Sequence, residues 1–419
     1  MKKKRFTSTL ALGLAMSCFF VGCGADAEDK GKDSSSSSSG QVQEVDLLGL
    51  NKYEGATLDF AAEGYRKYQD ATDAKIQARI LKTASGQIYD KQSVTFSWEG
   101  DGSAQYTVYF SESKNFTAAY EKTVTGTSTS IGYLTPGKTY YWKVKSGNGV
   151  TSALDSFVVK DTPGLFVTVS DDTEGTLNMR DIGGWKTLDG KTVKYGMLYR
   201  GGELNALTEA GKKTFREDLK VKTEIDFRTA GQDDKGQTEC AFSADATYIK
   251  ASFTGYTYIL PGFSYKDASS IQRGYDERTP QALKTIFSTL SDESSYPVYF
   301  HCIAGADRTG TLAFLINGLL GVSYEDLVRD FEATSFSVYG NRWRSDIDGL
   351  NYSEYHFNDS GIACQNSSNW VAFGLLYKEM MARYGEEGGT LSAAIENYLT
   401  SECGVTVEEI TALKDIMLY

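Results

Sequence analysis

The run Tyr299-Phe300-His301-Cys302-Ile303-Ala304-Gly305-Ala306-Asp307-Arg308-Thr309-Gly310 holds a cysteine, five intervening residues, an arginine and a threonine. An apolar stretch that reads as a strand, Pro297–His301, leads into it, and an apolar helical stretch, Thr309–Leu320, leads out. A loop between such elements can turn the backbone N–H groups of Ile303, Ala304, Gly305, Ala306, Asp307 and Arg308 toward one dianionic phosphate. The following helix adds the positive end of its dipole. Arg308 closes the cradle with a two-pronged guanidinium. Cys302 sits at the base of the same positive field, which favours the thiolate, the nucleophilic form. In-line attack on phosphorus would give a phospho-cysteine that water hydrolyses. Thr309 is placed to hydrogen-bond the sulfur and help it leave, and His301 to fix the loop without serving as a base.

Strands and helices alternate around this loop from about Gly164 onward. Trp185–Leu188 and Thr192–Tyr199 read as a hairpin with an Asp189-Gly190 turn, Thr223–Phe227 as a buried strand, and Gln281–Leu290 as a helix. Ser323 and Asp326 read as a capping box opening the next helix. Leu391–Leu399 and Val407–Met417 are helical again. This alternation predicts an α/β fold, a central sheet flanked by helices, over residues 164–419. A different pattern precedes it. Ile76–Leu81, Ser93–Trp98, Tyr106–Phe110, Thr139–Val144 and Ser156–Val159 read as short strands punctuated by Gly and Asp. They predict a small all-β sandwich over residues 72–162 with Trp98 and Trp142 in its core.

The chain has 419 residues and a net charge of −12, with 43 Lys plus Arg against 55 Asp plus Glu. So acidic a surface excludes a nucleic-acid binder. Two histidines and no Cys–His cluster at ligand spacing point to no metal and no cofactor. Lys2, Lys3, Lys4 and Arg5 precede the apolar run Leu10–Val21, the layout of an export signal over residues 1–22 and too short for a membrane span. Phe20-Val21-Gly22-Cys23 resembles a bacterial lipobox, which implies lipidation of Cys23. The Ser-rich stretch after it reads as a flexible tether over 23–71. An extracytoplasmic, membrane-anchored lipoprotein is the expectation. Outside it an oxidised pair among Cys240, Cys364 and Cys403 is open.

Taken together, His301, Cys302, Ala304, Gly305, Arg308, Thr309 and Gly310 resemble the signature of the bacterial IphP-type tyrosine/serine dual-specificity phosphatases, of the cysteine phosphatase superfamily. The resemblance extends through Asn178-Met179-Arg180-Asp181-Ile182-Gly183-Gly184, Leu198-Tyr199-Arg200-Gly201-Gly202-Glu203-Leu204, Ile225-Asp226-Phe227-Arg228-Thr229, and Tyr384-Gly385 with Leu391–Leu399. It departs at Gly201, where the family has Ser, and at Ala306, where it commonly has a Lys that favours phosphoinositides. It implies catalysis by Cys302 and Arg308, with Asp307 as general acid. Asp181 and Asp226 are alternatives for that role, with capping or pairing of Arg180 and Arg228 as their structural reading. His301 and Arg228 are expected to support the loop. Arg200 and Arg228 either extend the anion site or form buried ion pairs. Leu134–Val144 with Trp98 resembles a fibronectin type III module, which implies a spacer or adhesion role for 72–162.

The expected function is hydrolysis of phosphate monoesters through a phospho-cysteine. Phosphotyrosine is the first substrate class, then phosphoserine/threonine, then small phosphorylated metabolites or inositol phosphates. Tyr256, Tyr258, Tyr265, Tyr339, Trp343 and Tyr355, in the irregular stretches Ala251–Pro280 and Ser335–Asn369, are expected to line or cover the pocket. The competing reading is a surface-anchored binding lipoprotein with an idle phosphatase domain. Intact Cys302, Arg308 and Thr309 argue against it. Arg308-Thr309-Gly310 likewise disfavours a persulfide-transferring enzyme of the rhodanese kind.

Overall fold

The computed structural model describes residues 48–87, 92–167, 174–232, 236–262, 265–266, 272–340, 342–344 and 368–419. The basic leader, Cys23 and the serine run lie outside the described residues, as do Tyr355 and Cys364. Part of the expected tether is folded. Strand β1 (Thr57–Leu58) and helix α1 (Glu63–Asp70) fall within 23–71. The segment Ile76–Leu81, expected as a strand, lies inside helix α2 (Ala74–Ala84). The physical reason is local. Asp73 caps the helix by accepting from the N–H groups of Lys75 and Ile76, and Ala, Lys, Gln, Arg and Leu are strong helix formers. Gln77, Ala78, Leu81 and Ala84 then share one buried face.

The strands that follow are β2 (Val94–Ser97), β3 (Gln105–Ser111), β4 (Tyr120–Thr125), β5 (Ser128–Ile131), β6 (Thr139–Ser146) and β7 (Asp155–Val159). They form a five-stranded sheet, β1-β7-β6-β3-β4, and a two-stranded sheet, β2-β5. Phe96 of β2 packs 4.7 Å from Phe110, 5.0 Å from Trp142 and 5.2 Å from Phe157 (ring centroids), joining the two sheets. Trp98 and Trp142 are core residues. The unit is nonetheless not all-β, because Tyr65, Tyr68, Leu81 and Ala84 of α1 and α2 enter the same core.

The second half contains β8 (Arg180–Asp181), β9 (Leu198–Gly201), α3 (Glu209–Lys213), β10 (Thr223–Asp226), β11 (Thr247–Lys250), the small ladder β12 (Tyr265–Lys266) and β13 (Gln272–Arg273), and α4 (Thr279–Leu290). Then come β14 (Val298–His301), α5 (Asp307–Leu319), α6 (Tyr324–Ala333), α7 (Ser368–Tyr384), α8 (Leu391–Cys403) and α9 (Val407–Met417). The sheet order is β11-β10-β14-β9-β8, parallel except for the edge strand β8. Leu198, Ile225, Val298 and Phe300 face the core built with α4, α5 and α8. Tyr199 and Tyr299, one residue out of phase, face the opposite core with Phe215 and Phe242. The expected hairpin is present as a short pairing about the Asp189-Gly190 turn, where Gly190 has a φ of +88°: Thr187 N donates to Lys191 O at 3.1 Å and Val193 N to Trp185 O at 3.0 Å, with Lys186 opposite Thr192. Ser323 accepts from the Asp326 N–H, but Asp326 meets the Ser323 hydroxyl instead of closing the box. No helix among the described residues is long and apolar enough to cross a membrane.

Both halves lie in one compact unit, Val45–Tyr419. Ala333 and Phe336 of the second half belong to the core of the first. At this seam Asp181 is fully buried, accepting from the N–H groups of Gly183 and Gly196 and from the Tyr133 hydroxyl. Burial pushes its carboxyl up to about 6, against the lowering effect of those donors. The folded state therefore holds this proton more tightly than the unfolded chain does. The contribution is full below about pH 4 and is lost as pH rises through about 6, roughly 3 kcal/mol in all. Asp181→Asn is expected to flatten this dependence. Calorimetry between about pH 4.5 and 7 should show the wild-type Tm falling more steeply than that of the variant.

Candidate active site

Strand β14 delivers Cys302 and helix α5 begins at Asp307, so the loop between them is five residues long, Cys302–Ala306. The outward side of the loop is occupied carbonyl by carbonyl. Ile303 O accepts from Glu203 N at 2.9 Å, and Ala304 O from Asn178 Nδ2 at 3.2 Å. Gly305 O accepts from Asn178 Nδ2 at 3.0 Å and from Arg200 Nη2 at 2.9 Å. Cys302 O lies 3.2 Å from His301 Nδ1. In a planar trans peptide the N–H points opposite to the C=O, so these contacts turn the loop amides inward. No backbone N–H from Ile303 to Arg308 donates to another described residue. Gly305 makes the turn possible. Its φ is +65°, and a Cβ there would collide with the carbonyl group of Gly201.

Gly201 explains one departure from the family pattern. A Cβ at this position would lie 2.5 Å from the Tyr299 hydroxyl, which donates to Gly202 O. Tyr299 fills the space a serine would need.

Cys302 is a free thiol, 3 % exposed, at the floor of this nest. Arg308 Nη1 donates to Phe227 O (2.9 Å) and Gln232 Oε1 (2.8 Å), while its Nε and Nη2 have no partner among the described residues. The Thr309 hydroxyl is buried and likewise unpartnered, so the expected bond to sulfur is not made in this structure. Asp307, with its side chain 46 % exposed, accepts on Oδ1 from Arg342 Nη2 (2.9 Å) and the Tyr256 hydroxyl (3.1 Å). Ala306 is only 3 % exposed, so this position is part of the packed wall.

Beneath the loop, His301 Nε2 lies 3.0 Å from Glu224 Oε1. Burial alone would raise the Glu224 carboxyl, but His301 and the Ala241 N–H hold it below its usual value. Asp226 pairs with Arg228 and Lys250 and accepts from the Tyr248 hydroxyl. Although burial opposes its charge, His301 and Arg228 hold it far below the carboxylate range. Both alternatives for the acid are thus engaged elsewhere. Asp226 is locked in ion pairs, and Asp181 holds the seam. Arg228 does not touch the loop. It binds Asp226, Asn205 and Gln237, and Asp226 is the register partner of His301.

Arg200 also turns away from the nest. With Arg180 it shares the buried carboxylate of Asp330, Arg180 Nε lying 3.2 Å from Oδ1 and Arg200 Nη1 bonding Oδ2. The arginines hold the Asp330 carboxyl below its usual value despite full burial. Arg180 Nη1 further donates to Asn178 Oδ1 at 2.6 Å, which orients Asn178 Nδ2 toward the loop. The roles of Asn178 and Asp330 were not read from the sequence. The available signal for Asn178 was its place in the Asn-Met-Arg-Asp run, where it adopts a φ of +55° that Asn tolerates. For Asp330 the spacing held none.

Of the expected lining residues, Tyr256 is buried at Asp307 and Tyr339 lies near Cys302 and Glu203. Trp343 packs against the core of the first half, and the side chain of Tyr265 is outside the described residues. Asp330→Ala leaves two buried guanidiniums without their carboxylate, a change that costs about 3–5 kcal/mol. Urea unfolding is expected to report that loss, and inorganic phosphate binding to fall with it as the loop carbonyls lose their anchors.

The family described as "Tyrosine phosphatase family" matches residues 172–419. A Cupriavidus necator protein named "Putative tyrosine-protein phosphatase H16_A0669" is 28% identical over 165 residues, covering 37% of this chain and 59% of its own length. A Nostoc commune "Tyrosine-protein phosphatase" is 27% identical over 152 residues, covering 35% of this chain and 51% of that protein. The chain thus spans between half and two thirds of the curated relatives it matches. A solved structure, the core catalytic domain of the PP-IP phosphatase SIW14 from S. cerevisiae with citrate, aligns at 14% identity. It covers 33% of this chain and 71% of that one, with a TM-score of 0.25. With its pattern matched over 172–419, more than half of the sequence, this chain belongs to the tyrosine phosphatase family.

Proposed function

We propose that the protein hydrolyses phosphate monoesters through a phospho-cysteine on Cys302, with phosphotyrosine as the preferred substrate class. The observation that carries this reading is the outward engagement of the loop carbonyls, which leaves a ring of amides above a buried thiol. Oxyanions bind such rings because fixed dipoles replace water without reorganising. The helix α5 terminus adds to the field. The Nε and Nη2 of Arg308, which have no partner among the described residues, supply the fork for two phosphate oxygens.

The reaction runs in two steps. Cys302 Sγ attacks phosphorus, the P–O ester bond breaks, and its electron pair leaves with the phenolic oxygen, which takes the proton of Asp307. Water then attacks phosphorus, the S–P bond breaks, and inorganic phosphate departs as the proton from water returns to Asp307. The Thr309 hydroxyl is a donor available to the departing sulfur. A single phosphate finds its whole cradle in this loop. Ala306 offers no charge to a second phosphate, which favours phosphotyrosine over phosphoinositides. The leader, the Phe20–Cys23 lipobox and the serine run support an extracytoplasmic protein tethered through lipid on Cys23, with the fibronectin-like strands as a spacer.

Purified wild-type protein is expected to hydrolyse an aryl phosphate in EDTA and to lose activity on alkylation, with inorganic phosphate protecting. Cys302→Ser is expected to lose at least about 10³-fold in kcat, the scale of removing a covalent nucleophile, while still binding orthovanadate. Undiminished turnover by Cys302→Ser would contradict the mechanism.

A further inference from the structure

The acid is oriented by a piece of chain held in place from the other half of the molecule. Arg342 and Tyr256 both donate to the same oxygen of Asp307, Oδ1, at 2.9 and 3.1 Å. Two donors on one oxygen leave Oδ2 as the oxygen that can carry the proton. Arg342 is 9 % exposed and arrives on the segment that follows α6. The Ser335 hydroxyl brackets its backbone, donating to Arg342 O at 2.8 Å and accepting from Arg342 N at 3.0 Å.

This segment rests on α1 and α2. Phe336 packs edge-on against Tyr65 with ring centroids 5.3 Å apart. Gly340, at φ +41°, lies so close to Ser85 and Gly86 at the end of α2 that a Cβ would collide with them. Two residues beyond Arg342, Arg344 donates to Gln77 Oε1 of α2 (2.9 Å) and to both oxygens of Glu332 (2.9 and 3.0 Å). Glu332 Oε2 accepts from the Tyr68 hydroxyl of α1 at 2.7 Å. Tyr68, Gln77, Glu332 and Arg344 are all buried. A satisfied buried network of this kind has one low-energy arrangement, since displacing any member strands the others. It fixes where Arg342 can be.

We propose that Arg342 is a positioning residue for the Asp307 carboxyl, and that the N-terminal helices α1 and α2, by holding the segment that carries it, take part in the phosphatase chemistry. The inference rests on the proposed role of Asp307 as proton donor. A general acid matters in proportion to the basicity of the leaving oxygen, so misplacing it slows poor leaving groups selectively. Damage to the fold or to the phosphate cradle slows all substrates alike.

The test compares kcat/KM for phenyl phosphate and 2,4-dinitrophenyl phosphate in the full chain, which needs no protonation of its leaving group in the second case. Arg342→Met is expected to lose about tenfold or more on phenyl phosphate and about threefold or less on the dinitrophenyl ester, within the span of general acid catalysis. Arg342→Lys, which keeps a cationic donor, should recover part of the selective loss. Tyr68→Phe combined with Gln77→Ala, remote from the loop, should reproduce the selectivity. Should Arg342→Met fail to fold, Arg342→Lys and the remote pair decide by the same ratio. Equal losses on both esters, no loss, or a loss confined to substrates with a second phosphate would overturn the proposal. Cys302→Ser separates the two levels. Turnover by that variant removes the cysteine mechanism itself, whereas an inactive Cys302→Ser beside unselective Arg342 variants removes only the positioning role.

Discussion

A carboxylate that never meets substrate decides the shape of this site. Asp330 lies fully buried between the guanidiniums of Arg180 and Arg200, and those two arginines, with Asn178, hold the carbonyls of Ala304 and Gly305 away from Cys302. Without that pull a five-residue loop would be free to turn some carbonyls inward, and a carbonyl in the nest would repel the phosphate proposed to bind there. Burying three charges is costly in itself, so the cluster is weak as a source of stability. Its worth lies in geometry. Net charge in the cluster is positive, which also suits the dianionic phosphate proposed for this site.

The same logic repeats one layer further out. Glu332 and Arg344 form a second buried pair, completed by Tyr68 and Gln77 from the N-terminal helices. Where the first cluster shapes the floor of the site, this one fixes part of its wall. The two halves share apolar core as well, through Phe336 packed against both Tyr65 and Tyr68. The seam is therefore more than a linker. It joins an aromatic core to a polar network, and the polar network ends at Arg342 on Asp307.

What could be read from the sequence follows from how local each constraint is. The spacing of Cys302, Arg308 and Thr309 is dictated by one turn of backbone, so the loop announced itself. Thr223–Phe227, Pro297–His301 and Gln281–Leu290 were legible because buried parallel strands and amphipathic helices need continuous or periodic apolar residues. Ile76–Leu81 misled, since six residues rich in aliphatics suit either element and only the Asp73 cap and the helix formers around and within it, Ala74, Lys75, Ala78, Arg79 and Lys82, decide for a helix. Gly201 and Tyr299 could be understood only together, as one fills the space the other vacates. Asn178, Asp330 and Arg342 act across long sequence separations, where spacing carries no information. Arg200 and Arg228 were read as either anion ligands or ion pairs, and their contacts are ion pairs with Asp330 and Asp226.

In the proposed reaction phosphorus passes through the sulfur of Cys302. Mixing the enzyme with phenyl phosphate, quenching in acid within one turnover and mapping the peptides by mass spectrometry tests it directly. A transient phosphoryl group is expected on the peptide that carries Cys302, formed at the rate of phenol release and absent from Cys302→Ser. A phosphoryl group on another residue, or phenol release with no phosphorylated peptide in a quench fast enough to catch one, would contradict it.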